Sequence, residues 1–410
     1  MAEGSVAQLE RLAARGHWGI KKGLDNPRAL LAALGHPEAS FPALLIGGTN
    51  GKGSTGAFLA QALRAGGYRI GWTTSPHLLG PWERIALDGA FLEPEALDRL
   101  LGQVFAAERA AGLQATYFEL VIAAAMLAFC EAKVDLALVE VGMGGRWDAT
   151  NTLDPLLSVL TNVALDHTQY LGDTREAIAR EKLCIARPGR PLVLGPGLDP
   201  AWLEPLLETT PRLCPAPRLT AERIAWGHSL VQGHAVGLAG AHQLENLATA
   251  REVLRQLEVL GFPVPEASAW EGIGRTRWPG RLWEAPGLAE VWMDGAHNPA
   301  GARVLADHAL ATGLRPHLVF GAMGDKDLAG IAAELARMAP RSVTLVCGED
   351  VRYARAEALR TAWGNTALPV LSVEAAARGL HDAADAPRLV TGSLFMIGDL
   401  LRALDLTPRL

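Results

Sequence analysis

The segment 46–55, IGGTNGKGST, has the residue types of a phosphate-binding loop. Glycines leave backbone N–H groups free to face phosphate oxygens, Lys52 adds a positive charge, and the hydroxyl of Ser54 or Thr55 can hold a magnesium ion. The spacing differs from the usual G-x-x-x-x-G-K-[ST], because Gly53 separates Lys52 from Ser54. An ordinary glycine-rich turn without a ligand therefore stays open as a second interpretation.

Two further apolar runs are followed or closed by residues whose side chains can bind metal ions. Glu140 closes the run 136–140 and is followed by glycines, and a carboxylate at a strand tip is a suitable ligand for a hard cation. The run that ends at Leu160 leads to Asp166 and His167. The alternatives are a solvated acid at a strand end for Glu140 and a structural histidine for His167.

The turn 294–299, DGAHNP, is the candidate site of the second half of the chain. Asp294 ends an apolar run, and Asn298 followed by Pro299 is typical of a helix start. Asp294 and His297 are two polar groups more than a helix cap requires, which favours a ligand site. The alternative is a helix start capped by Asn298 alone.

Alternating strands and helices must position these groups. The apolar runs predict strands at Ala43–Ile46, Leu136–Val141, Leu156–Leu160, Val291–Met293, His317–Phe320, Val343–Cys347 and Leu389–Thr391. Helical patterns lie at Gly56–Ala65, Pro94–Ala111, Glu119–Glu131, Gln243–Leu260 and Gly301–Leu310. The alternation predicts an α/β protein whose parallel sheets bind ligands at the carboxyl ends of their strands.

The length of 410 residues predicts two or three domains. We expect a P-loop domain with a mostly parallel sheet at 1–280, a linker at 281–287 rich in glycine and proline, and a smaller Rossmann-like α/β domain at 288–410. The proline-rich stretch Pro188–Pro217 predicts neither helices nor long strands and closes the first series of elements.

Composition narrows the class of protein. The net charge is −6, from 38 basic and 44 acidic residues, so we expect no nucleic-acid partner. The apolar runs are too short to span a bilayer, and the amino terminus lacks the pattern of a signal peptide. The four cysteines form no C-x-x-C pair, which is typical of reduced thiols. We therefore expect a cytoplasmic protein without a membrane partner.

Taken together, the motifs resemble the folylpolyglutamate synthase/dihydrofolate synthase family, within the Mur-type ATP-dependent amide ligases. The resemblance runs in order over nearly the whole chain. Its segments are Gly48–Ser54, Thr74–Leu78, Glu83–Ile85, Tyr117–Glu119, Glu140–Asn151, Thr161–Thr168, Glu181–Lys182, His242–Asn246, Pro279–Arg281, Asp294–Pro299, Gly321–Asp327 and Thr391–Ser393. The irregular spacing of Lys52 and Ser54 is part of this family's pattern.

The resemblance assigns a role to each matching position. It implies catalytic roles for Lys52, Lys182 and His297. It implies that ATP is bound by Thr49, Asn50, Gly51, Lys52, Gly53, Ser54, Thr55, Asn246, Arg281 and Asp294. Magnesium ligands would be Ser54, Ser75, Glu140 and His167, and substrate-binding residues would be Phe118, Asp148, His297 and Ser393. Lys182 matches a lysine that is carbamylated in the family; alone, its charged segment is typical of a solvated helix face.

The implied reaction is ATP-dependent addition of L-glutamate to a folate carboxylate through an acyl phosphate, with dihydropteroate as a further acceptor. The partners would be these small molecules, and the protein would be a monomer. One alternative is another Mur-type amino-acid ligase, although those usually carry an additional domain before the loop. Others are a P-loop ATPase or kinase that forms no amide, and a nucleotide-regulated binding protein.

Overall fold

The chain forms two compact units that are interleaved in sequence. The computed structural model describes residues 7–16, 22–225, 228–382 and 384–410. The first unit contains residues up to Pro76, Gly80–Arg218 and Asn246–Gly272. The second contains His77–Leu79, Leu219–Glu245 and Ile273–Leu410.

An eight-stranded sheet is the centre of the first unit. Its strands are β1 (Ala43–Gly47), β2 (Ile70–Thr73), β3 (Ile85–Leu87), β4 (Ala90–Phe91), β5 (Leu136–Glu140), β6 (Leu157–Leu160), β7 (Pro191–Leu194) and β8 (Arg212–Pro215). The order is β4-β3-β2-β5-β1-β6-β7-β8. The six strands β2, β5, β1, β6, β7 and β8 are parallel, whereas β3 pairs antiparallel with β2 and β4.

Helices α1 to α8 accompany this sheet, and α9 and α10 extend slightly beyond the bounds of the unit. They are α1 (Ala7–Ala13), α2 (Asp25–Ala33), α3 (Lys52–Ala65), α4 (Pro94–Ala110), α5 (Tyr117–Ala132), α6 (Thr168–Leu171), α7 (Arg175–Leu183), α8 (Pro200–Leu203), α9 (Gln243–Val259) and α10 (Glu266–Arg275). None of the helices in the described part of the chain is both long and apolar enough to cross a membrane.

The core of the first unit follows from its apolar strands and from α5. All five residues of β1 and of β5 are buried, as expected for strands covered on both faces. Helix α5 begins with a capping box, in which Glu119 N donates to Thr116 Oγ1 and Thr116 N donates to Glu119 Oε2. The buried sheet thus supplies a rigid edge for the loops that follow its strands.

The second unit contains two sheets. A three-stranded antiparallel sheet comprises β9 (Arg223–Ala225), β10 (His228–Val231) and β11 (His234–Val236). The other strands are β12 (Trp283–Glu284), β13 (Val291–Asp294), β14 (His317–Phe320), β15 (Ser342–Cys347), β16 (Val370–Ser372) and β17 (Arg388–Thr391). They form a sheet of order β12-β13-β17-β14-β15-β16, in which β12 alone is antiparallel. The helices are α11 (Pro299–Thr312), α12 (Leu328–Ala336), α13 (Ala356–Ala362), α14 (Val373–Gly379) and α15 (Leu394–Ala403).

The predicted α/β class is confirmed, and every predicted strand and helix overlaps an observed one. The arrangement of the segments between these elements differs from the prediction in three respects. The stretch 188–217, expected to lack helices and long strands, contains the short helix α8, which Pro200 can begin because the first helical position needs no N–H donor. Its strands β7 and β8 have only four residues each, with Pro191 at the first position of its strand and Pro215 at the last position of an edge strand. The predicted linker 281–287 contains β12. Residues His77–Leu79, Leu219–Glu245 and 273–280, expected in the first domain, belong to the second unit.

Candidate active site

The loop between β1 and α3 is closely packed around its glycines. Gly48 and Gly51 have positive φ values of 143° and 83°. A Cβ on Gly48 would lie 1.9 Å from Thr161 Oγ1, and one on Gly51 would lie 2.2 Å from Asn246 Oδ1. Both positions therefore require glycine. Lys52 follows as the first residue of α3, so the loop delivers backbone N–H groups and a lysine to one helix start.

Residues after β6 hold this loop in place. Thr49 N donates to Asn162 O at 3.1 Å, and Asn50 N donates to Asn162 Oδ1 at 2.9 Å. Thr161 Oγ1 donates to Asn50 O at 2.6 Å, and the Thr49 hydroxyl bonds to the backbone of Ala164. The loop conformation is therefore set by hydrogen bonds within the protein.

Two lysines meet at the first carbonyl of the loop. Lys52 Nζ donates to Gly48 O and Thr49 O, each at 3.1 Å, and Lys182 Nζ donates to Gly48 O at 3.0 Å. Lys182 is only 4% exposed. Burial and, to a lesser degree, the positive charge of Lys52 lower its pKa to about 7, against the attraction of Asp166 and Asp148. A substantial fraction of Lys182 is therefore a neutral amine at neutral pH.

The four predicted metal ligands follow four adjacent parallel strands, β2, β5, β1 and β6. Ser75 follows β2, Glu140 ends β5, Ser54 lies in the first turn of the helix after β1, and His167 follows β6. The sheet thus places all four at one edge. Ser54 and Glu140 are buried.

This donor set fits magnesium better than a metal held by protein alone. Among the described residues, no three or more His, Cys, Asp or Glu side chains form a group that could hold a metal ion. Magnesium is commonly bound through one or two carboxylates together with substrate phosphates and water. One carboxylate and two hydroxyls beside a phosphate-binding loop match that pattern.

The predicted substrate residues Phe118 and Asp148 lie together beside Gly142. A Cβ on Gly142 would lie 2.6 Å from Phe118 Cζ and 3.1 Å from Asp148 Oδ2. The Asp148 carboxylate accepts hydrogen bonds from Met143 N at 2.9 Å and from the Thr150 hydroxyl at 2.5 Å, and burial raises its pKa. Asp148 therefore also shapes the loop after β5.

In the second unit, Asp294 ends β13 and organises the following turn. Its Oδ2 accepts from Leu282 N at 2.8 Å, and its Oδ1 accepts from Ala296 N at 2.9 Å. Burial raises the pKa of Asp294, and the positive charge of Arg281 opposes this shift. Arg281 Nη1 donates to Gly280 O at 2.9 Å, and its charge acts on Asp294, so the buried Asp294 and the partly buried Arg281 lie near each other.

His297 and Ser393 follow the neighbouring strands β13 and β17, which pair through Asp294 and Thr391. His297 Nδ1 is 2.8 Å from Gly295 O, a carbonyl that can only accept, so this nitrogen carries the proton. Ser393 caps α15, because its Oγ accepts from Phe395 N at 3.1 Å. The sheet thus brings His297 and Ser393 to one edge of the second unit.

Comparison with known proteins decides the family. Mur ligase family models match the chain twice: the Mur ligase middle domain over residues 46–190, and the Mur ligase, glutamate ligase domain over residues 280–393. The dihydrofolate synthase/folylpolyglutamate synthase of Bacillus subtilis (strain 168) is 31% identical over 422 residues, which covers 94% of this chain and 96% of that protein. The chain belongs to the folylpolyglutamate synthase/dihydrofolate synthase family.

Solved structures of this family have the same fold. Escherichia coli FolC in complex with DHPP and ADP superposes with a TM-score of 0.83 at 30% identity, covering 99% of each chain. A bifunctional folylpolyglutamate synthase/dihydrofolate synthase with Mn, AMPPNP and L-glutamate bound gives a TM-score of 0.82 at 29% identity, covering 99% of this chain and 100% of that one. The chain is accordingly an ATP-dependent amide ligase of this family.

Thr161 and Asn162 hold the phosphate-binding loop, although no role was predicted for either residue. A usable signal was present. Two polar residues directly follow the apolar strand β6, and a strand adjacent to β1 in a parallel sheet ends beside the loop.

Proposed function

We propose that the protein uses ATP to join L-glutamate to a folate carboxylate through an acyl phosphate. The carboxylate oxygen attacks the γ-phosphorus, and ADP leaves. The amine of glutamate then attacks the acyl carbon, phosphate leaves, and the amine loses a proton. The observation that carries this proposal is the position of Lys52, whose Nζ donates to Gly48 O and Thr49 O of the glycine loop, because a positive charge there offsets the repulsion between an anionic carboxylate and an anionic triphosphate.

The residues of the first unit would hold ATP and its metal ion. The loop from Thr49 to Thr55 would bind the phosphates, with Asn246 beside Gly51. Ser54, Ser75, Glu140 and His167 would hold magnesium, which when bound offsets the negative charge of the triphosphate.

Lys182 would act as a carbamate. A neutral amine adds to carbon dioxide and loses a proton, and the product is a carboxylate-like anion. The lowered pKa of Lys182, about 7, supports this assignment because the neutral form is the nucleophile. Carbamylation would also replace repulsion between Lys182 and Lys52 by attraction.

The remaining residues would bind the other substrates. We assign Phe118 and Asp148 to the pterin side, and His297 and Ser393 to glutamate or the acyl phosphate. Arg281 and Asp294 would contact ATP. Dihydropteroate would be a second acceptor, and the protein would act as a cytoplasmic monomer without a nucleic-acid partner.

Product mass spectrometry tests this proposal. The protein is incubated with ATP, magnesium and glutamate, with dihydropteroate in one tube and tetrahydrofolate in another. We expect a product heavier by one glutamyl residue in both tubes, and none with Lys52→Met. Product in only one tube would restrict the acceptor, and product in neither would refute the folate assignment. Full activity of Lys52→Met would refute the role of the loop, and Lys22→Met, at an exposed lysine, is the matched control.

A further inference from the structure

Helix α7 carries Lys182 and packs on the core through three apolar side chains. The helix has nine residues, and its buried apolar side chains are Ile178, Ala179 and Leu183. A helix this short depends on tertiary contacts for its position. Lys182 lies in its last turn and reaches Gly48 O at 3.0 Å. The placement of this last turn therefore sets where Lys182 Nζ lies relative to the phosphate-binding loop.

Arg146 connects this turn to the loop after β5. Its backbone N donates to Glu181 O at 3.1 Å, and its Nε donates to Glu181 Oε1 at 2.9 Å. The other two guanidinium nitrogens donate to both carboxylate oxygens of Glu208, at 2.8 and 2.6 Å. One side chain thus joins three segments, one of which contains the residue directly before Lys182 in the chain.

Close packing of the backbones fixes the same contact. A Cβ on Gly145 would lie 2.7 Å from Glu181 O and 3.0 Å from Lys182 O. The loop residue next to Arg146 therefore touches the backbone of Lys182 itself. A shift of the loop cannot be absorbed at this contact without moving the end of α7.

The side chain of Asn151 also connects the loop around Arg146 to the backbone after Lys182. Asn151 Nδ2 donates to Arg146 O and to Cys184 O, each at 3.3 Å. Arg187 Nη2 donates to Asn151 Oδ1 at 2.9 Å. The end of α7 and the loop around Arg146 thus form one hydrogen-bonded body, which we call the Arg146 clamp, made of Arg146, Glu181, Glu208, Asn151 and Arg187.

We propose that Arg146 is a positioning residue for the ligase reaction, which holds the last turn of α7 so that Lys182 lies at the phosphate-binding loop. This inference rests on the proposed function only for its effect on turnover. The contribution is geometric: partly exposed ion pairs add little to stability, and the side chains of Arg146 and Glu181 are 26% and 28% exposed. Arg99 offers a comparison away from the loop, because it forms a two-bond ion pair with Glu131 between α4 and α5, although this pair is more exposed.

The kinetic test compares Arg146→Gln, Glu181→Gln, the double variant and the control Arg99→Gln. Misplacement of a reacting group by about 1 Å costs on the order of 100-fold in rate, so we expect kcat to fall roughly 10- to 100-fold for each single variant. KM for ATP should change less than about 3-fold, because the loop that binds the phosphates keeps its own hydrogen bonds. The double variant should be no slower than the slower single variant, since both break one clamp. Arg99→Gln should match the wild type.

Equal losses for Arg146→Gln and Arg99→Gln, or losses that multiply in the double variant, would overturn the proposal. Should Arg146→Gln fold poorly, Arg146→Lys retains the charge but cannot bond both carboxylates as Arg146 does, and we expect a smaller fall in kcat with the same unchanged KM.

Hydrogen–deuterium exchange separates this inference from the proposed function. The peptide covering 181–187 should exchange faster in Arg146→Gln than in the wild type, with no change in the peptide covering 117–132. If the wild type makes no folate product but 181–187 exchanges faster in Arg146→Gln, the proposed function is refuted and the positioning role of Arg146 is supported. If product forms and exchange at 181–187 is unchanged, the clamp is refuted and the function stands.

Discussion

Replacing Lys182 with methionine should make the protein more stable while removing its activity. Folding buries this amine and lowers its pKa from 10.5 to about 7, so the folded state opposes the charge that the unfolded chain carries at neutral pH. At about 1.4 kcal/mol per pKa unit, the full shift costs about 5 kcal/mol. At pH 7 about half of the folded protein already has the neutral amine, so the cost of keeping the lysine is roughly 4 kcal/mol. Loss of the hydrogen bond to Gly48 O destabilises the variant by about 1 kcal/mol. The net increase in the free energy of unfolding is therefore about 3 kcal/mol.

The gain should depend on pH in a definite direction. Because the folded pKa lies below the unfolded one, the cost of Lys182 is fully present below pH 7 and disappears as the pH rises to 10.5. The difference in stability between Lys182→Met and the wild type should therefore be greatest at pH 6 to 7 and shrink steadily toward pH 10.

Urea denaturation at pH 6, 7, 8.5 and 10 measures this difference. The buffers are freed of carbon dioxide, because a carbamate would change the charge of Lys182. Lys22→Met, at an exposed lysine, should show no gain at any pH. A Lys182→Met protein that is no more stable than the wild type at pH 7, or whose gain is the same at every pH, would refute the reasoning.

Three further outcomes are expected. Gly51→Ala should weaken ATP binding at least about tenfold in a nucleotide titration, because its Cβ would meet Asn246. The control Gly112→Ala has a similar positive φ but open space around it, and it should lose only about 1 kcal/mol of stability in urea. Asp294→Asn should cost about 2 kcal/mol in the same assay, because the amide nitrogen cannot accept one of the two hydrogen bonds that Leu282 N and Ala296 N donate to the carboxylate; unchanged stability would contradict this. Treatment with EDTA should stop product formation and added magnesium should restore it; persistent activity would refute the metal assignment.

The sheet edges were predictable because each candidate group directly follows an apolar run. Glu140 and Asp294 end their strands as expected, and parallel strands bring such ends together. The position of Lys182 was not predictable from its surroundings in sequence. Its segment has the alternating charges of an exposed helix, and only packing against the glycine loop buries it.

The connections and contacts between elements could not be predicted from local sequence patterns. Pro286 and Gly287 suggested a linker, but they lie in the turn of a hairpin between β12 and β13. A two-residue strand gives no periodicity to detect. The contact of Phe118 and Asp148 with Gly142 likewise joins two separate elements, and spacing along the chain does not specify it.

The interleaving of the two units has a consequence for synthesis. Residues Asn246–Gly272 belong to the first unit, and a Cβ on Gly272 would lie 2.3 Å from Gln61 O, so α10 lies directly against α3. The ribosome must therefore deliver residue 272 before the first unit can be complete, and by then Leu219–Glu245 of the second unit has already emerged. A nascent chain released at Arg218 would therefore leave the side of α3 that α10 covers exposed.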